Sequence, residues 1–122
     1  MIKYNASSTG LFAKVENIKT KENFVVSTAR NPYGVYETAV FRATNFLTAL
    51  TNAFTAKPVF LANSPTLQQA EQNHITTAEL FEQLDPKDMI RQYEREGSVG
   101  TQLLMSRKEN DGKSGGVPNS TA

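Results

Sequence analysis

The sequence predicts an α+β fold: an antiparallel sheet of four to six strands with two helices packed against it. Three observations carry that reading. Residues 11–44 hold runs of β-branched and aromatic residues separated by short polar turns. Residues 64–84 place apolar side chains at spacings of three and four. Residues 85–97 open on Asp-Pro and close on Gly, which brackets a second helix.

Taken in chain order, "LFAKVENI" (11–18) and "NFVVSTAR" (23–30) read as two strands, and "KTKE" between them has the length and polarity of a hairpin turn. "GVYETAVFRAT" (34–44) is a third strand, entered through the turn residues Asn31, Pro32 and Gly34. Side chains alternate along a strand, so Val35, Glu37, Ala39 and Phe41 share one face and Tyr36, Thr38, Val40 and Arg42 the other. Neither set is wholly polar, which predicts that both faces are partly covered. "NFLTALTNAFTAK" (45–57) mixes a helical stripe with threonines and asparagines, and reads as a connection with strand or short helical content. "PVFLAN" (58–63) is a further short strand. In residues 64–84, Ser64 is the expected cap, Pro65 the first helical residue, and Leu67, Ala70, His74, Ala78 and Phe81 the buried stripe. Asp85 is the expected cap of the second helix and Gly97 its stop. "SVGTQLLM" (98–105) reads as a last strand. These elements make one α+β domain over residues 1–105, followed by a flexible polar tail over 106–122 whose Gly, Ser, Asn and Pro content makes no core.

Composition narrows the function. Thirteen basic residues against twelve acidic ones give no basic excess for duplex nucleic acid. With no cysteine and one histidine, thiol chemistry is absent and no transition-metal site or other cofactor is expected. No apolar run approaches the roughly 20 residues of a membrane helix. "MIKYNASSTG" lacks the apolar stretch of a signal peptide, so a cytoplasmic protein is expected. Hydrolytic chemistry is poorly supported, since a Ser-His-Asp arrangement would have to use His74. "GKSGG" (112–116) lacks the preceding strand and upstream glycine of a phosphate loop.

Glu37 and His74 are the conspicuous polar residues on apolar stripes. A Glu37–His74 pair would satisfy both; each could equally be a structural group bonded elsewhere. Arg91 and Arg95 lie one helical turn apart, where two guanidiniums can fork around a pyrophosphate or else sit in solvent paired with Glu94 and Glu96. Tyr33, Tyr36, Phe60 and Tyr93 offer rings for stacking or for the core.

"VST" at Val26–Thr28, "YETAVF" at Tyr36–Phe41 and "AEQNH" at Ala70–His74 together resemble small phage and prophage proteins with a VST, YETMVF and A…GH pattern. The resemblance covers roughly residues 24 to 80, with Ala39 in place of Met and Asn73 in place of Gly. In length and layout the chain is also similar to the phage-encoded sponges that defeat the Thoeris defence system. Those assemble into oligomers and hold cyclic ADP-ribose-type signals through arginines, an asparagine and an aromatic ring. The residues this resemblance implies here are Arg91, Arg95, Asn73 and Phe60, with His74, Glu37 and Tyr93 in support. It implies a homo-oligomer in the host cytoplasm that sequesters a small nucleotide-derived signal, cyclic ADP-ribose-like or a cyclic oligonucleotide, without turnover. The alternative is a phage inhibitor that binds a host defence protein directly.

Overall fold

The computed structural model describes residues 1–7, 10–43 and 57–97. Five strands, β1 (Ile2–Ser7), β2 (Gly10–Glu16), β3 (Asn23–Arg30), β4 (Tyr36–Ala43) and β5 (Phe60–Ser64), form one sheet in the order β1-β2-β3-β4-β5. Every neighbouring pair is antiparallel. Two helices, α1 (Leu67–Gln83) and α2 (86–97), pack on the sheet. The predicted α+β architecture is therefore the observed one. The expected connection over 45–56, the strand over 98–105 and the tail over 106–122 lie outside the described residues.

Turn chemistry sets the hairpins. Between β2 and β3, Asn17 Oδ1 accepts from the backbone N–H groups of Lys19 and Thr20, both at 2.9 Å, and Lys21 takes the left-handed conformation at φ 63°. Between β3 and β4, Asn31 Oδ1 accepts from Tyr33 N and Val35 N at 2.9 and 3.0 Å. Gly34 there adopts φ 83°, which a residue without a Cβ takes at no steric cost.

The register lays the α1 face of the sheet out in rows. One row runs Ile2, Val15, Phe24 and Arg42, the next Tyr4, Ala13, Val26, Val40 and Phe60. The next runs Ala6, Leu11, Thr28, Thr38 and Ala62, and beyond it lie Arg30, Tyr36 and Ser64. The sheet thus grades from apolar to hydroxylic along its strands. α1 matches that gradient. Its Phe81 meets Phe24 and Phe60 edge-on, with ring centroids 5.0 and 5.3 Å away, and its Asn73 and His74 meet the hydroxyl rows. Met89 and Ile90 of α2 complete the apolar cluster.

Asn17 ties the β2–β3 turn to the end of α1. Its Nδ2 donates to the carbonyls of Phe81 and Leu84, each at 2.7 Å, and Ile18 N donates to the Glu82 carbonyl at 2.8 Å. These are carbonyls that a helix end leaves without an internal partner.

Three details differ from the sequence reading. β1 lies ahead of the strands read from the sequence, which begin at residue 11; its Ile2, Tyr4 and Ala6 alternate with Lys3, Asn5 and Ser7, and it forms by pairing along β2. Ser64 does not cap α1. It ends β5 and accepts from Asn73 Nδ2 at 2.6 Å, while Thr66 Oγ1 accepts from Gln69 N at 3.1 Å and takes the capping role. Leu67, as the first helical residue, lies ahead of the buried stripe and is 56% exposed. Asp85 does cap α2, its Oδ1 accepting from Lys87 N at 3.0 Å. On the face away from α1, Val25 and Phe41 are also buried, in keeping with a sheet that lacks a polar face.

Candidate functional site

The residues expected to hold a ligand are not brought together. Phe60 is fully buried, with Phe81 and Tyr93 against its ring, so neither face of that ring is open to a base. Tyr93 is half-buried with its ring centroid 6.2 Å from that of Phe60. Asn73 is buried and committed: it donates to Ser64 Oγ and accepts from Gln69 Nε2 at 2.9 Å. Arg91 and Arg95 are exposed on α2. A depression of about 480 Å³ does lie beside α2, between Arg42, Lys57, Tyr93 and Glu94, and neither arginine lines it.

Glu37 and His74 do not form a pair. Alternation puts Glu37 on the face of β4 away from α1, between Ala29 and Asn63 in the register, whereas His74 reaches the sheet from the α1 side. The partner of His74 is instead a threonine relay. Its Nδ1 lies 2.7 Å from Thr28 Oγ1, which lies 2.8 Å from Thr38 Oγ1. All three residues are buried. A hydroxyl can donate and accept at once, so a Thr–Thr pair can serve either tautomer of the ring.

His74 also lines a large, mostly apolar opening. A cleft of about 540 Å³ runs between β1 and α1, walled by Tyr4, Ala6, Leu11 and Ile75, with Glu71 and Glu79 at its rim. The Tyr4 and His74 ring centroids are 6.0 Å apart. Burial pushes the imidazole down to about 4, partly opposed by a hydrogen bond to the Phe12 backbone, so the ring is neutral at pH 7. With Nδ1 held by Thr28, Nε2 is buried and makes no well-formed hydrogen bond among the described residues, although the Phe12 backbone lies close enough to the ring to act on it. Burial raises the Tyr4 hydroxyl, and Glu79 and then Glu82 raise it further. A smaller depression of about 300 Å³, with Arg30 and Tyr36 at its far side, adjoins the cleft through Leu11 and Glu71.

The arrangement therefore offers an apolar seat, one spare hydrogen-bonding atom on a neutral ring, and carboxylates at the mouth. Among the described residues no cluster of three metal-ligating side chains occurs, and no helix is long and apolar enough to cross a membrane. The sequence signal for Thr28 and Thr38 was present: they fall in step with Val26 and Val40 on the apolar parity of their strands. Tyr4 could not be placed without β1. Comparison of the chain with protein-family models, with curated proteins and with solved structures returns no match.

Proposed function

We propose that this protein captures a small ligand without turning it over, and that the ligand sits in the β1–α1 cleft. The observation that carries the reading is the cleft itself: an open and mostly apolar cavity of about 540 Å³ with the buried, neutral His74 ring in its lining. A neutral ring held through Thr28 gives a ligand one orienting hydrogen bond once its entry uncovers Nε2, and shape burial supplies the rest of the affinity. In the form implied by the phage resemblance, the ligand is a nucleotide-derived signal withheld from a host defence. Its base, not its phosphates, would then enter the cleft, since the rim residues Glu71 and Glu79 repel anions.

His74 is the only imidazole in the chain, so its ring signals report the cleft directly. Nuclear magnetic resonance titration with cyclic ADP-ribose isomers, cyclic oligonucleotides and adenosine should shift that ring. Ala6→Phe fills the cleft from an exposed strand position and should weaken binding by at least about tenfold. Arg91→Ala with Arg95→Ala should leave affinity within about twofold, as for exposed side chains away from a site. The opposite pattern moves the seat to α2 and rejects the cleft. Light scattering on the same samples tests the homo-oligomer that accompanies this role, and a monomeric mass removes it.

A further inference from the structure

We infer that the β1–α1 cleft selects its ligand by charge, and that it takes an organic cation with an apolar body. The inference rests on capture of a small ligand in this cleft and departs from the anionic, nucleotide-derived ligand of the phage resemblance. Two independent observations support it. The first is the rim. Glu71, Ile75 and Glu79 follow one another at intervals of four along α1, so the two carboxylates stand about 12 Å apart along the helix axis with an apolar side chain between them. All three line the cleft, and no lysine or arginine does so among the described residues. Arg30 lies in the adjoining depression instead.

The second observation is the floor. His74 is 3% exposed and its Nε2, closed off from solvent, has no well-formed hydrogen bond among the described residues, so a ligand that displaces its cover gains a hydrogen-bonding position at the buried end of the cleft. That ring is uncharged at neutral pH, so it does not offset the rim. A ligand with a flat or branched apolar body can cover Tyr4, Leu11 and Ile75, whose rings and branches are otherwise left partly in water; Tyr4 and Ile75 are 48% and 43% exposed. Its ammonium then remains at the mouth, hydrated and within the field of both carboxylates. Tyr4 senses the same field: Glu79 and Glu82 both disfavour ionisation of its hydroxyl. Two carboxylates so far apart do not chelate one small ion, so the selection is by field and shape.

The test uses matched probes on the full chain: tryptamine as the cation, indole-3-acetate as the anion of similar body, and adenosine as a neutral aromatic. Each is titrated while the His74 ring resonances are followed. Tryptamine should move them and bind at least about fivefold more tightly than indole-3-acetate, the scale set by two exposed charges. Glu71→Gln with Glu79→Gln, both on the helix surface, should remove that preference while the circular dichroism spectrum stays unchanged. Equal or tighter binding of indole-3-acetate overturns the charge inference, and so does a preference that survives in the double variant. Adenosine moving His74 when tryptamine does not overturns it too, and leaves the capture reading standing. If none of the three moves the ring, the charge inference falls, and the capture reading is then decided by the nucleotide titrations.

Discussion

The two ends of the α1–sheet interface are equally dry and differently made. At one end Phe24, Phe60 and Phe81 meet edge-on, and each is fully buried. At the other, Thr28, Thr38, Ser64, Asn73 and His74 are buried with their polar atoms bonded to one another. Apolar packing is satisfied by shape, and once the rings touch nothing is left to offer. Hydrogen bonding is satisfied by count, and here the count leaves one ring nitrogen over. The first end is suited to holding the fold and the second to recognising something. The difference teaches where to look for function in a small α+β domain: at the end of the core where the valences do not close.

The sharpest way to break this comparison is at the aromatic end. Phe81→Ala should cost about 3–5 kcal/mol in denaturant titration, the range for deleting a large buried ring. A loss below about 1 kcal/mol would mean that the aromatic end does not carry the fold. At the polar end the expected effect is smaller and depends on pH. The folded ring titrates at about 4, against 6.5 for an unperturbed imidazole. Between those values the unfolded chain binds a proton that the folded chain refuses. The neutral ring's contribution is complete above about pH 6.5 and is lost as pH falls through 4, a span of about 3 kcal/mol. Carboxylates titrate in the same window, so the comparison is with His74→Gln, which should flatten that part of the stability profile. A wild-type ring that titrates near 6.5 by magnetic resonance would remove the effect. Smaller again is Asn17→Ala, which leaves two carbonyls and two backbone N–H groups to find water. Its cost should be about 2 kcal/mol by the same denaturant titration. No loss at all would show that the aromatic end rests on its rings alone.

Most of the sheet could be read before any coordinates, because β2, β3 and β4 alternate and their turns carry Asn, Pro and Gly where the geometry needs them. β1 alternates too, through Ile2, Tyr4 and Ala6, but it is short and exposed along most of its length, which makes the signal weak. The site was harder. Strand parity correctly separated Glu37 from Thr38, and helical spacing correctly put His74 on the buried stripe. Neither says which sheet face the helix covers, so the pairing of His74 with Thr28 and not with Glu37 lay beyond sequence reasoning. Phe60 shows the same limit from another side. A ring that stacks on a ligand and a ring that closes a core are written with the same letter, and only the arrival of Phe81 decides between them.

Asn17 has a consequence for motion as well as for strength. The Lys19 and Thr20 side chains are exposed, and a surface turn of this kind ordinarily exchanges its amide hydrogens quickly, by opening on its own. Here both amides are held by Asn17 Oδ1, and the same side chain grips the last turn of α1. The turn cannot swing out while that grip lasts. Its amides should therefore exchange slowly in a hydrogen-exchange measurement and mark a boundary of cooperativity: residues near position 20 and residues near position 80 are expected to open together, as one unit, although the chain between them contains most of the sheet.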